Sequence, residues 1–226
     1  MQTVKAGGFT WFVPDFAFKN LPTEDWERKE RDWILKNIPK GGLFVDVGAN
    51  LGIYAITLAE HFEEVIAIEP QPLNVEILKK NIELNGIDNI VVLQKGAWDE
   101  TKLLKVYQVY EGDMASASFV SDSEKGIDDW LCQKPINEIV IDAIKVDDLH
   151  LNPDFIKIDI EGGEARAIKG MMDTINRCRP SFFIEMHTQA KAREICEMLK
   201  DKYDFGMAGD WPGQQTDKWF FQPKVQ

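Results

Sequence analysis

Residues 43–52, Leu43-Phe44-Val45-Asp46-Val47-Gly48-Ala49-Asn50-Leu51-Gly52, constrain the fold more than any other stretch. A short apolar run carries an acid, two glycines bracket a tight turn, and a helical pattern starts at once. That order reads as a strand, a turn and a helix N-terminus. Glycine lets a ligand approach such a turn, because no Cβ stands in the way. The helix start adds unpaired N–H groups for polar ligand atoms. A second apolar run, Val65-Ile66-Ala67-Ile68, ends in Glu69. A carboxylate at the tip of a second strand is placed to accept both hydroxyls of a ribose. Together these features predict a nucleotide-type cofactor site at the C-terminal edge of a parallel sheet.

The rest of the chain supports that architecture. Strands are expected at 43–48, 65–69, 90–95, 155–160 and 181–186, and helices at 51–61, 72–84, 163–177 and 188–202. Regular alternation of strand and helix means a parallel α/β sheet. Segments 205–207 and 218–222 read as a closing hairpin around Trp211-Pro212-Gly213. The prediction is seven strands, six parallel and one reversed near the end. Residues 101–150 interrupt the alternation with two strands, 103–110 and 139–146, around a polar loop at 111–138. A connection of that length suggests a functional loop. Its Ser116 and Ser118 either touch a ligand or simply solvate the loop.

Residues 1–40 are expected to form an N-terminal arm, and 41–226 the cofactor-binding domain. The arm is rich in Gly, Phe, Trp and Pro, with a short strand at Phe9–Val13. A helix at 24–38 follows, capped by Thr23 and stopped by Pro39-Lys40-Gly41-Gly42. It serves as a brace on the sheet or as a flap over the site.

At 226 residues the chain can build one real core. Its net charge of −12 speaks against nucleic acid and against anionic membranes as partners. Apolar runs are too short to span a bilayer, and the first residues do not resemble a signal-peptide core. Cys132, Cys178 and Cys196 lack paired spacing and read as ordinary thiols. A cytoplasmic protein is expected.

The glycine spacing is Gly48-x-x-x-Gly52, one glycine short of a nicotinamide-binding turn. Asp46 before the turn would repel a diphosphate and suit an ammonium or sulfonium. This charge logic points to S-adenosylmethionine rather than NAD.

With Glu69-Pro70, Gly96-Ala97-Trp98 and Ile158-Asp159-Ile160-Glu161-Gly162, the turn resembles the FkbM family of S-adenosylmethionine-dependent methyltransferases. The resemblance covers roughly residues 40–190, and the joint pattern is specific where each motif alone is moderate. It implies the class I methyltransferase fold, Rossmann-like, with a reversed strand after the last helix. It implies that Gly48, Gly52 and Asn50 lie along the methionine part, with Asp46 near its ammonium through water or backbone. Glu69 would hold the ribose diol, and Ala97 and Trp98 would border the adenine. It also implies a preference for O-methylation, and a hydroxyl of a small-molecule or sugar-type acceptor is the expected target.

Asp159 and Glu161 end one strand on a shared side, and Glu185 and His187 end the next. Asp159 with Glu185 or His187 forms a candidate catalytic group of acid–base partners. The same oxygens would suffice for a divalent cation such as Mg²⁺, so a metal stays an open alternative. Glu164 reads as a helix N-terminal acid. Other readings are an N-methyltransferase of the same fold, a non-catalytic S-adenosylmethionine-binding partner subunit and an NAD-dependent oxidoreductase. Oligomeric state is not readable from the sequence.

Overall fold

The structure, a computed structural model, describes residues 1–14, 27–108, 119–120, 137–186, 189–207 and 218–225. The chain opens with a hairpin of β1 (Gln2–Ala6) and β2 (Phe9–Val13), then α1 (Arg28–Asn37). β3 (Leu43–Val47), α2 (Ile53–Thr57), β4 (Glu64–Ile68), α3 (Pro72–Leu84) and β5 (Ile90–Leu93) follow. Next come β6 (Gly96–Ala97), β7 (Lys102–Gln108), β8 (Phe119–Val120) and β9 (Asn137–Ile144). Alternation resumes with β10 (Phe155–Ile158), α4 (Glu164–Lys169), α5 (Met172–Cys178), β11 (Ser181–Glu185) and α6 (Gln189–Leu199). β12 (Tyr203–Met207) and β13 (Lys218–Pro223) close the chain.

The main sheet runs β12-β13-β11-β10-β3-β4-β5. Every pairing is parallel except those of β13, which is antiparallel to β11 and β12. This is the expected α/β sheet, with β13 as its reversed strand. Alternation along each strand sorts side chains to two faces. Val45, Val47, Ile156 and Ile158 join one core cluster with residues of α4, α5 and α6. Phe44, Phe155, Ala67 and Phe183 join a second with residues of α1 and α2.

The N-terminal region packs on that second face. Trp33 of α1 meets Phe220 edge-on, with ring centroids 4.5 Å apart, and Ile34 is fully buried. In the described residues α1 therefore braces the sheet; Trp26 and the rest of 15–26 lie outside them. β1 was not expected from the sequence. It pairs with β2, whose Phe12 N–H donates to Asn81 Oδ1 of α3 at 2.6 Å.

Three expected elements differ. The helix expected at 51–61 is short and closes in a single 3-10 turn at Ala59–His61. The helix expected at 163–177 breaks into α4 and α5 at Gly170. A Cβ at Gly170 would lie 1.8 Å from the Trp98 carbonyl oxygen, so the break follows a close approach from a distant segment. The strand expected at 90–95 ends at Leu93, and β6 leaves for a separate sheet of order β6-β9-β7-β8. Within the segment expected to be a polar loop, Phe119–Val120 pairs with β7. Ser116, Ser118 and Trp211-Pro212-Gly213 lie outside the described residues.

Candidate functional site

A cleft opens where the C-terminal tips of β3, β4 and β10 face the small sheet. The glycine turn forms its floor. Gly48 N–H and Ala49 N–H both donate to the Ile68 carbonyl, at 2.9 and 3.1 Å, which stitches the turn to β4. Gly48 has φ +82°, and a Cβ there would lie 1.8 Å from the Asp159 carbonyl oxygen. Only glycine lets the ends of β3 and β10 come this close.

Glu69 lies at the mouth of β4, 4% exposed, on the cleft wall. Its Oε2 accepts the Asn50 N–H at 2.9 Å. Its Oε1 accepts the Gln71 N–H at 3.0 Å and Asn74 Nδ2 at 3.1 Å. Burial pushes its carboxyl up from the ordinary range, and these three hydrogen bonds pull it back. A carboxylate offers about four lone-pair sites, so fixed orientation and remaining acceptor capacity coexist.

Ala97 and Trp98 line the opposite wall, and Leu104, Val106 and Ile141 of the small sheet extend it. Trp98 Nε1 is buried with no hydrogen-bond partner among the described residues. An apolar slot beside one buried carboxylate and an open glycine backbone fits an adenosyl group carrying an amino-acid tail. A flat base suits the slot, and a diol suits the acid.

The Methyltransferase FkbM domain family matches residues 46–206. The chain belongs to the FkbM methyltransferase family. It is 23% identical to Methyltransferase sdnD of Sordaria araneosa over 203 residues, 78% of each protein. It is 31% identical to Ribosomal protein L11 methyltransferase of Syntrophomonas wolfei over 85 residues, which are 37% of this chain and 26% of that enzyme. The structure of Methyltransferase FkbM from Methylobacillus flagellatus superposes with a TM-score of 0.57 at 23% identity. That match covers 80% of this chain and 43% of the other, so this chain spans less than half of that protein. The structural likeness shows the fold, the seven-stranded class I methyltransferase fold expected from the sequence.

Within this FkbM domain, Gly48, Asn50, Glu69, Ala97, Trp98 and Asp159 meet around the cleft. The Asp46 side chain does not, which leaves it only the indirect approach to a ligand ammonium, through water or backbone. Its side chain is fully buried under the turn, with Oδ2 accepting the Ala55 N–H at 3.0 Å. Oδ1 lies 3.8 Å from Lys157 Nζ. Strand register decides this, because Asp46 pairs with Lys157 across β3 and β10 and both side chains share a face. The charge of Asp46 is therefore matched inside the protein, and its force against a diphosphate is weaker than the sequence implied.

Gly52 is also absent from the cleft wall. It begins α2 with φ +95°, and a Cβ there would lie 2.4 Å from Leu78 Cδ1. Its bare backbone serves the packing of α2 on α3. Glu185 is off the wall too; its Oε2 lies 3.4 Å from Lys218 Nζ, which also reaches Glu30 at 3.7 Å. His187 lies outside the described residues. Glu164 accepts the Gly162 N–H at 2.7 Å, the local role expected of a helix-start acid. Among the described residues, no group of three His, Cys, Asp or Glu side chains is arranged to hold a metal ion. No helix among them is long and apolar enough to cross a membrane.

Lys157 organises the carboxylates below the cleft. Its side chain is 4% exposed, and Nζ donates to Asp159 Oδ2 at 3.3 Å. It also lies 4.6 Å from the centre of the Tyr54 ring. Burial alone would lower its affinity for the proton. Asp159, Asp46, Glu27 and Glu185 outweigh that and hold it above the ordinary range, so it stays charged. In sequence, its closeness to Asp159 already marks it as able to neutralise a carboxylate; Asp46 as its second partner comes only from strand register.

Glu27, at the start of α1, was not anticipated. Burial lifts its carboxyl from 4.5 to about 7, opposed by Lys157 and Lys218 and reinforced by Asp159 and Glu185. Between those values the folded chain binds the proton more tightly than the unfolded one. The stabilisation is complete below pH 4.5 and is lost as pH rises through about 7. Glu27→Gln is expected to flatten the fall in thermal stability across that window. Parallel melting curves for the two proteins across the window would count against it.

Proposed function

We propose that this FkbM-family chain transfers a methyl group from S-adenosylmethionine to a hydroxyl oxygen of a small-molecule or sugar-type acceptor. The observation that carries the reading is Glu69, a buried carboxylate held by three donors on the wall of a cleft whose floor is the Gly48 turn. Glu69 would accept the ribose hydroxyls, and Gly48 and Asn50 would run along the amino-acid tail. Ala97 and Trp98, with the apolar wall behind them, would border the adenine. Bound S-adenosylmethionine supplies an electrophilic methyl carbon together with its own leaving group.

The chain's own task is then to hold the acceptor in line and to take its proton. An alcohol is about as weak an acid as water, with a pKa of ~16, so the proton leaves during attack. Asp159, on the cleft wall with its side chain 23% exposed, is one candidate to receive it. His187 is the other, from the sequence alone. The net charge of −12 supports an acceptor other than nucleic acid.

Calorimetry with S-adenosylhomocysteine and with NAD, followed by labelled S-adenosylmethionine on cell-extract fractions, tests the reading. Expected are binding of the first ligand only and a labelled product that resists ribonuclease and protease. Labelled RNA or protein would replace the acceptor class. Binding without any labelled product would favour a partner subunit, and full turnover by both Asp159→Ala and His187→Ala would remove the proton assignment.

A further inference from the structure

We propose that Lys157 is a positioning residue of the cleft, whose buried ammonium holds the Asp159 carboxylate at the wall while it neutralises Asp46 beneath the glycine turn. The proposal rests on the reading of the cleft as an S-adenosylmethionine site. Lys157 stands in the middle of β10, between Ile156 and Ile158, which are both fully buried. An ionised side chain in such a row requires partners that are equally fixed. Asp46 comes from β3 and Asp159 from the turn that follows β10, and these are the two segments that Gly48 brings into contact. The Tyr54 ring of α2 covers the ammonium, and Glu27 at the start of α1 and Glu185 of β11 complete the charged groups around it. One cation thus ties the turn-bearing strand to the acid on the cleft wall.

The plainer role for Lys157 is that of counter-ion to Asp46 alone. The two roles separate when both buried charges leave together. A pair replaced in that way is often tolerated, whereas removal of one member strands the other. Asp46→Asn with Lys157→Met is therefore expected to keep the melting behaviour of the native chain, since the introduced amide oxygen can still accept the Ala55 N–H. Its affinity for S-adenosylhomocysteine is nevertheless expected to fall about tenfold, because Asp159 shares the cleft wall with Gly48 and Asn50, where the amino-acid tail would run, and it loses the donor that orients it. Asp159→Asn alone should show the same loss, and the triple variant should lose no more than either. That non-additivity is the signature of one residue acting through another.

Native affinity in the double variant, or losses that add in the triple variant, would overturn the positioning role. If that double variant fails to fold, Asp46→Leu with Lys157→Met, an apolar pair, takes its place in the same cycle with Asp159→Asn. A loss of about tenfold that Asp159→Asn does not deepen supports the role, and native affinity or additive losses overturn it. Failure of the unaltered chain to bind S-adenosylhomocysteine would instead sink the reading of the cleft itself.

Discussion

Glu69→Gln is expected to weaken S-adenosylhomocysteine binding by about 3 kcal/mol, roughly a hundredfold in Kd. The figure follows from two charge-assisted hydrogen bonds, one to each ribose hydroxyl, at about 1.5 kcal/mol apiece. The substitution keeps the size of the side chain and changes its hydrogen bonding. In the native chain Oε2 accepts from Asn50, and Oε1 accepts from Gln71 and Asn74. A glutamine amide has only one oxygen, so its NH₂ must face a donor on one side. That mismatch adds a stability loss of about 1–3 kcal/mol. Calorimetry at a temperature where the variant is fully folded separates the two effects. A Kd that stays within about threefold of the native value would remove Glu69 from the ribose.

Gly48→Ala is expected to be strongly disruptive. A Cβ at that position would lie 1.8 Å from the Asp159 carbonyl oxygen and 2.9 Å from Ile160 Cγ2. Backbone on the neighbouring strand must move to admit it, and the left-handed conformation adds about 1–2 kcal/mol of strain. A total above about 4 kcal/mol is expected, which lowers the melting temperature by roughly 10 °C. S-adenosylhomocysteine binding should disappear, because the same shift carries Asp159 and the turn out of register. Gly86→Ala is the control. Gly86 also has a positive φ, +62°, but a Cβ there meets nothing within 4 Å. Only the backbone term of about 1–2 kcal/mol should appear. Equal effects at the two positions would show that conformational strain, not the approach of Asp159, explains the glycine at Gly48.

The main sheet was legible because its signals are local. Each parallel strand is a short apolar run followed by turn residues, and alternation with helices fixes a parallel sheet. The cofactor turn was legible for the same reason: Gly48 and Glu69 follow their strands directly, and the strand tips of a parallel sheet lie side by side. The break in the helix at 163–177 has no local signal, because its cause, the Trp98 carbonyl against Gly170, comes from a segment far away in sequence. The small sheet was only half visible. Its two long strands were expected, but nothing local showed that Leu104, Val106 and Ile141 would form a wall of the cleft.

What neighbouring residues dictate, and the chain therefore announces, is the alternation of strand and helix in the main sheet, the glycine turn and the acid at the tip of β4. Tertiary structure alone decided which acids reach the cleft. Asp46 and Asp159 carry the same side chain, but register places Asp46 opposite Lys157 in the buried layer and leaves Asp159 at the open strand end. A carboxylate's task depends on what lies across from it, and that neighbour is fixed only when distant strands pair.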